Sequence, residues 1–325
     1  MKKEYTRFLK SILIAIVLLV GVDVAVGVVA DRLMDKLPDY GGDMAKDNFR
    51  LHRLETDVVI LGSSRGCKHY VSQQLNDSID AYLGKHFTLY NASISAKKLN
   101  SNSCAAEMLI TRYRPQLVIY DIFEELLCDD QVDDIEFSAP FYWKDSIVGR
   151  YLDDIGSRER WLMKSSLYRY NSKLFRIVSS IASPERPNDG YEPLRGTHQD
   201  LTHHEEGDVV STPLELDGYT LNNFETVLRK YSSAKIPLVV ACSPRFHPMD
   251  NNKRVAAICD KYGIPFIDFY DMPFFNDRPE LFFDARHLND EGAHIFTAMF
   301  FEQLKPFLSC HDDENGMPDH SLSCK

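Results

Sequence analysis

Asp57-Val-Val-Ile-Leu-Gly-Ser-Ser-Arg-Gly-Cys67 is the segment from which the organisation of this chain can be predicted. Its first half, Val58–Leu61, is short, apolar and rich in β-branched residues, which predicts a buried strand. The Gly-Ser-Ser turn at 62–64 ends the strand, and the sequence from Tyr70 onward is typical of a helix. A strand that passes through such a turn into a helix lifts a hydroxyl out of the sheet and points free N–H groups at a ligand. A serine in this place is either a nucleophile or an ordinary turn residue.

A second informative segment, Leu281-Phe-Phe-Asp-Ala-Arg-His-Leu-Asn-Asp-Glu-Gly-Ala-His294, lies near the other end of the chain. Asp284 and His287 are three residues apart and precede the last predicted helix, for which Asn289 is a suitable N-cap. This spacing can bring the carboxylate against the imidazole and fix its tautomer. The pair is therefore a candidate base for a serine nucleophile.

Together, the early Gly-Ser-Ser turn, the late Asp284-x-x-His287 and the sheet pattern between them resemble the SGNH/GDSL hydrolase family. The resemblance implies that Ser64 is the nucleophile, that His287 is the base and that Asp284 orients it. Ser63 stands where the family usually has an aspartate. The Gly-Ser-Ser form also resembles membrane-anchored relatives that act on cell-envelope polymers, such as the teichoic-acid D-alanylation proteins.

The oxyanion-binding groups are expected after the second and third strands. Asn91-Ala-Ser-Ile-Ser-Ala96 follows the predicted strand at 87–90, and the resemblance places Ser93 where the family has a glycine whose N–H binds the oxyanion. Asn91 is a further candidate in this segment. The alternative is a polar strand-to-helix loop with Ser95 as N-cap.

The family's third block, Gly-x-Asn-Asp, is replaced here by Asp121-Ile-Phe-Glu-Glu125, which follows the predicted strand at 117–120. The asparagine donor is therefore missing or is supplied from elsewhere, for example by Arg65 or Arg245. Loss of one such donor typically lowers turnover by about a hundred- to a thousand-fold. The acidic residues of this segment are either part of the site or simply surface acids at a strand end.

Composition narrows the functional class. The chain has 325 residues and a net charge of −11, which argues against nucleic acid as a partner because phosphate binding needs a basic face. None of the seven cysteines has zinc-like spacing, and His198, His203 and His204 lack a supporting carboxylate pattern, so we expect no metal and no cofactor.

The N-terminus carries a basic flank followed by an apolar run. Ile12–Ala30 is apolar apart from Asp23, and nineteen residues can just span a bilayer core. The basic flank predicts a cytoplasmic N-terminus and an extracytoplasmic, periplasmic remainder. A cleaved signal peptide ending at Val28-Val29-Ala30 and a buried amphipathic helix are the alternatives. Asp23 lies near the outer interface, is protonated, or pairs with another membrane helix, which would imply a membrane-protein partner.

These patterns predict a cytoplasmic stub and transmembrane anchor at 1–34, a linker at 35–55, an α/β domain at 56–308 and a disordered tail at 309–325. Residues 126–216 interrupt the alternation and are expected to form a helical and loop insertion after the third strand. Strand–helix alternation predicts a three-layer, flavodoxin-like fold with a five-stranded parallel sheet. Ser64 and His287 should then meet at its carboxyl edge.

Two functions are consistent with these features. The resemblance implies an extracytoplasmic serine-dependent acyl-ester hydrolase or O-acyltransferase, whose expected substrate is an ester-bearing polysaccharide such as a cell-envelope glycan, or a similar ester. The absent asparagine block favours the other interpretation, a catalytically weak protein of the same fold that binds an envelope polymer or a membrane partner.

Overall fold

The computed structural model describes residues 2–128, 135–197, 215–246 and 252–308 of the chain. They divide into two compact units: the described residues up to 48 cluster with 136–186, and the other described residues, from 49 to 135 and from 187 onward, cluster together. This division differs from the predicted one, in which 126–216 belonged to the α/β domain. The reason is that 136–186 is helical and packs against the N-terminal apolar helix.

In chain order, the helices are α1 Lys2–Met34, α2 Asp43–His52, α3 Ser64–His69, α4 Ser72–Leu83, α5 Leu99–Arg112, α6 Glu125–Cys128, α7 Ser146–Ile155, α8 Ser157–Leu162, α9 Ser166–Tyr170, α10 Lys173–Ala182, α11 Gly218–Ala234, α12 Lys253–Lys261, α13 Pro273–Asn276 and α14 Asp290–Leu304. The strands are β1 Val58–Leu61, β2 Leu89–Asn91, β3 Leu117–Asp121, β4 Leu238–Cys242, β5 Phe266–Asp268, β6 Phe282–Asp284 and β7 His287–Leu288. Single 3₁₀ turns cover Ala139–Phe141, Pro279–Leu281 and Lys305–Phe307.

The sheet of the larger unit has the order β2-β1-β3-β4-β5, and all of its described strands are parallel. Every residue of β1, β3 and β4 is buried, as expected for parallel strands covered by helices on both faces. The predicted α/β architecture with a five-stranded parallel sheet is confirmed. In such sheets, ligands bind beyond the carboxyl ends of the strands, where the strand order reverses. Here β1 is one of the strands at that point.

Helix α14, late in the chain, packs against the segment that follows β1. The ring of Phe296 meets Tyr70 edge-on with centroids 5.0 Å apart and Phe269 at 5.3 Å, and Thr297 Oγ accepts the N–H of Val71 at 3.0 Å. This aromatic packing fixes the late helix beside α3 and α4. The residues immediately before α14 are thereby carried to the Gly-Ser-Ser turn.

Two local features differ from the predicted pattern. Residues 282–288 form a small antiparallel hairpin, β6–β7, whose turn at Ala285-Arg286 contains no glycine or asparagine to mark it. The sequence predicts a single helix over about 158–182, whereas the structure divides this range into α8, α9 and α10, and Ser172 before α10 has a φ of +54°.

In the smaller unit, α1 is long and apolar enough to cross a membrane and fits a single-pass anchor. Asp23 does not point at a second membrane span within the described parts of this unit. Its carboxylate accepts hydrogen bonds from Ser165 Oγ at 2.6 Å and from the N–H groups of Ser166 at 3.0 Å and Leu167 at 2.8 Å. The carboxylate therefore caps the start of α9.

Candidate active site

Ser64, His287 and Asp284 form a hydrogen-bonded chain in the larger unit. Ser64 is the first residue of α3, and its Oγ lies 2.8 Å from Nε2 of His287. Nδ1 of His287 lies 3.0 Å from both carboxylate oxygens of Asp284. All three residues are half-buried, so the hydroxyl is supported by the fold and still reachable from solvent. This arrangement can move a proton from the serine to the imidazole.

The β6–β7 hairpin fixes the carboxylate of Asp284. Its Oδ1 accepts the backbone N–H of Arg286 at 2.8 Å and that of His287 at 2.9 Å. Partial burial raises the pKa of the Asp284 carboxyl, but the hydrogen bonds from the His287 ring and these N–H groups outweigh it and lower the pKa. Because the carboxylate is ionised, Nδ1 of His287 carries the proton toward it. Nε2 is then the acceptor for the Ser64 hydroxyl.

His69, at the end of α3, forms a hydrogen bond with the β6–β7 hairpin and supports it. Its Nε2 accepts the N–H of Leu288 at 2.9 Å, and its carbonyl accepts the Thr297 hydroxyl at 3.2 Å. Burial lowers the pKa of His69 well below its ordinary value, and the nearby positive charges of Arg65 and Lys68 act in the same direction. A neutral His69 is therefore part of the support for His287. Nothing in the sequence distinguished this histidine from an ordinary helical one.

Asn91 and Ser93 are near the turn but are used differently from the prediction. The Ser93 N–H, expected to face the oxyanion, donates to Asn91 Oδ1 at 3.1 Å. The Asn91 amide donates in turn to the carbonyl of Gly66 at 2.9 Å, and a Cβ on Gly66 would collide with the Ser93 hydroxyl. Both side chains therefore pack the loop against α3. The Ser93 N–H is not available to a substrate in this conformation.

The loop beyond Ser93 retains other backbone donors. Ala96 has a φ of +63°, which is uncommon for a residue with a side chain. Lys68 Nζ donates to Ser95 Oγ at 2.9 Å and keeps this loop against α3. The N–H groups of Ser95 and Ala96 have no acceptor among the described residues. Ser64 also has a free N–H, because the first residue of a helix has no intrahelical acceptor.

Arg65, one of the two arginines considered as an oxyanion donor, makes its described side-chain hydrogen bonds at the end of β4 and not with Ser64 Oγ. Its buried guanidinium lies beside the rings of Phe123 and Tyr270, at 4.5 and 5.1 Å from their centroids. Nε donates to Ser243 Oγ at 3.3 Å, and Nη2 bonds to Ser243 O and to Cys242 Sγ. This guanidinium ties α3 to the end of β4.

Arg245, the other arginine considered as an oxyanion donor, is committed to an ion pair. Its Nη1 donates to both carboxylate oxygens of Glu125, at 2.8 and 3.1 Å, and Tyr270 donates to the same carboxylate at 3.0 Å. The side chain is largely buried in this contact. It stabilises the carboxyl edge of the sheet and makes no described contact with Ser64.

The acids after β3 are structural and largely buried, which corrects the interpretation of them as surface residues. Asp121 accepts the Tyr70 hydroxyl at 2.8 Å and the Ser243 N–H at 2.9 Å, and burial raises its pKa. Glu124 accepts the N–H of Arg254 at 3.0 Å at the start of α12. The segment thus joins neighbouring elements and places no side-chain amide at the site.

Residues 187–194, here called the strap, form backbone hydrogen bonds with the elements around the candidate site. Asp189 O accepts the N–H of Asn91 at 2.8 Å, Glu192 N–H donates to Cys67 O at 2.9 Å, and Leu194 O accepts the Asp290 N–H at 2.6 Å. The strap therefore links the loop after β2, helix α3 and the start of α14. The sequence predicts only an exposed loop over 184–212, because its content of Pro, Gly, His and acidic residues does not reveal backbone pairing.

In the residues that the structure describes, no group of three or more His, Cys, Asp or Glu is placed to hold a metal ion. His198, His203 and His204 lie outside the described residues. Comparison of the chain with protein-family models and with curated proteins finds no match.

Proposed function

We propose that this protein is a serine-dependent acyl-transfer enzyme of the SGNH/GDSL type. The observation that carries the proposal is the 2.8 Å contact between Ser64 Oγ and His287 Nε2, with the opposite ring nitrogen bonded to Asp284. A hydroxyl, an imidazole and a carboxylate in this order are the requirements for an activated serine nucleophile. Among the described residues, Ser64 Oγ has no hydrogen-bond partner other than His287 Nε2. No second contact therefore has to be broken before the oxygen attacks a carbonyl carbon.

The reaction proceeds in two transfers. Ser64 Oγ bonds to the acyl carbonyl carbon while His287 Nε2 takes the hydroxyl proton, and Asp284 stabilises the imidazolium. The tetrahedral intermediate collapses by breaking the ester C–O bond, and the leaving alkoxide takes the proton from His287. An acceptor hydroxyl then gives its proton to His287 and bonds to the acyl carbon. The bond between the acyl carbon and Ser64 Oγ breaks, and Ser64 Oγ takes the proton back from His287. Water as acceptor makes the protein an esterase, and a sugar hydroxyl makes it an O-acyltransferase.

The oxyanion is assigned to backbone donors. The backbone N–H of Ser64 is the first of these donors. The N–H groups of Ser95 and Ala96, which have no acceptor among the described residues, take the role that was predicted for the N–H of Ser93. No side-chain amide follows β3, so we expect the oxyanion hole to have fewer hydrogen-bond donors than that of the SGNH/GDSL family. Turnover of simple esters should therefore be lower. An acceptor that binds tightly and is held beside the acyl-enzyme would offset that deficit.

The family resemblance and the N-terminal segment together suggest where the enzyme works. Lys2, Lys3, Arg7 and Lys10 precede the apolar part of α1, so the N-terminus is expected in the cytoplasm and the larger unit outside it. An ester-bearing glycan of the cell envelope is the substrate class that this location and the resemblance favour.

A second function, binding without efficient catalysis, is favoured by one specific observation. The Ser93 N–H is occupied by Asn91, and the end of β3 contributes only acids engaged in structural contacts. A site with a formed triad and a poor oxyanion hole could hold an acylated polymer without cleaving it.

Labelling with a fluorophosphonate separates the two functions, because phosphonylation needs an activated serine. The full chain should be labelled, with the phosphorus on the peptide that contains Ser64, and Ser64→Ala should lose the label. Ser63→Ala is the matched control, since Ser63 is adjacent and its side chain makes no described hydrogen bond. Absence of label on folded wild-type protein would contradict the enzyme and support the binding protein.

A further inference from the structure

The smaller unit begins to pack against α1 part-way along its apolar run. From residue 3 to residue 22, every position of α1 is exposed. From Asp23 onward one face is covered: Gly27, Ala30 and Met34 are buried, and a Cβ on Gly27 would collide with Ser166. The side of α1 that packs on α9 and α10 therefore starts at Asp23.

The exposed part of the apolar run is too short to cross a membrane alone. Residues 12–22 extend about 16 Å as a helix, whereas the hydrocarbon core is about 30 Å thick. The next turns supply the remaining length, and their uncovered side carries Val24, Val28 and Val29, each about half exposed. A bilayer that covers these valines also reaches the helices packed on the opposite side of the same turns.

Those helices present apolar side chains on their surface. In the described part of 136–186 the large exposed ones are Trp143, Trp161, Leu167, Phe175 and Val178, here called the exposed apolar surface. Phe175 is 79% exposed, and Phe175 and Val178 lie three residues apart on α10, so they share one face of that helix. Trp143 and Trp161 are 64% and 73% exposed and are the two tryptophans of the chain.

The charge of this segment suits an anionic lipid surface. Residues 136–186 contain nine Lys and Arg but six Asp and Glu, a net charge of +3 in a chain whose total is −11. Arg176 on α10 is half exposed, next to Phe175. Tryptophans with flanking basic residues are typical of segments that lie at the boundary between headgroups and acyl chains.

We propose that the exposed apolar surface of 136–186 lies in the outer leaflet of the lipid bilayer beside α1, so that this unit is a second membrane-contacting element. The inference goes beyond acyl transfer and does not depend on it, but it does rest on α1 being a membrane anchor. It also gives Asp23 a role. Its three hydrogen bonds to Ser165, Ser166 and Leu167 join the anchor to α9 at a depth where an unpaired carboxylate would be costly.

Tryptophan fluorescence tests this placement without added labels, because both tryptophans belong to the surface. The full chain is reconstituted in phosphatidylcholine–phosphatidylglycerol vesicles whose acyl chains either carry bromine, a contact quencher, or do not. We expect loss of most of the emission in the brominated vesicles and protection from acrylamide. Trp143→Phe and Trp161→Phe, which each leave one reporter, should both remain quenched.

Vesicle flotation separates failure of the anchor from failure of the surface. Protein that floats with vesicles but keeps its emission in brominated lipid, with both tryptophans open to acrylamide, would overturn the proposal and would point to a protein partner instead. Protein that does not float would overturn the anchor and this proposal together. Fluorophosphonate labelling of Ser64 reports on the proposed reaction and is unaffected by either outcome.

A pair of charge variants adds a second measurement. Phe175→Asp puts a carboxylate into the proposed lipid-facing side of α10 and should reduce the quenching by brominated lipid. Tyr82→Asp is the matched control, since Tyr82 is a half-exposed aromatic residue on α4 of the larger unit. Equal quenching of Phe175→Asp, Tyr82→Asp and wild type would contradict a lipid-embedded α10.

Discussion

Nε2 of His287 lies 2.8 Å from Oγ of Ser64, although 223 positions separate the two residues in the chain. The serine is held by α3, which the Arg65 guanidinium ties to the end of β4. The histidine is held by the β6–β7 hairpin, which His69 and α14 fix beside α3. The contact is therefore a consequence of the sheet order and of the packing of the last helix.

Asp284→Asn should abolish most turnover with little change in KM. An amide at this position can donate to Nδ1 of His287, which would place the ring proton on Nε2 and remove the acceptor for Ser64. The comparable change in serine proteases lowers kcat by about 10⁴-fold. Steady-state hydrolysis of an activated acyl ester measures the effect. The exposed Asp277→Asn is the matched control, and an Asp284→Asn protein with the turnover of that control would contradict the assigned tautomer.

Gly190→Ala should loosen the strap from the loop after β2. Gly190 has a φ of +85°, and a Cβ there would collide with the carbonyl of Asn91. We expect faster hydrogen exchange of the Asn91 N–H, which donates to Asp189 O, and lower turnover. Gly196→Ala is the control, since Gly196 has a similar φ of +75° but open space around it. If the Asn91 N–H exchanges at the same rate in both variants, backbone strain alone explains the effect. The close approach of Gly190 to the Asn91 carbonyl would then be unimportant.

Because of His69, the free energy of unfolding should decrease as the pH falls below about 6.5. Its pKa is depressed in the folded state, so the unfolded chain binds a proton that the folded chain does not. The stability it contributes is full above its unfolded pKa of about 6.5 and declines below it by up to about 1.4 kcal/mol per pH unit.

Urea unfolding at a series of pH values from neutral to mildly acidic measures this dependence. His69→Gln keeps an acceptor for the Leu288 N–H but cannot titrate, so its stability should fall less steeply than that of wild type. His86→Gln is the control, because His86 is mostly exposed. Equal slopes for wild type and His69→Gln would show that His69 is not buried as a neutral ring.

The sequence was sufficient for the parts of the fold that have strong local signals. The apolar runs at 58–61, 117–120 and 237–242 predict β1, β3 and β4 to within a residue or two, because strands buried on both faces of a parallel sheet are almost continuously apolar. Asp284 and His287 could be paired from spacing alone. Their approach to Ser64 followed from strand–helix alternation, since the carboxyl ends of parallel strands share one edge.

Side-chain partners were not predictable in the same way. Ser93 occupies the expected loop, yet its N–H is taken by an asparagine two residues earlier, which no pattern of residue types reveals. Arg65 and Arg245 are near the sheet edge, but Phe123, Tyr270 and Glu125 determine where their guanidinium groups lie. The 136–186 segment was predicted to be helical, but its packing against α1 was not, because α1 precedes it by more than a hundred residues.

The most direct test of the assigned nucleophile is the kcat/KM of wild type, Ser64→Ala and Ser63→Ala on a p-nitrophenyl acyl ester. We expect Ser63→Ala to resemble wild type and Ser64→Ala to lose activity by several powers of ten, approaching the roughly 10⁶-fold loss seen when a triad serine is removed. A Ser64→Ala protein that hydrolyses the ester as fast as wild type would contradict the assignment of Ser64 as the nucleophile.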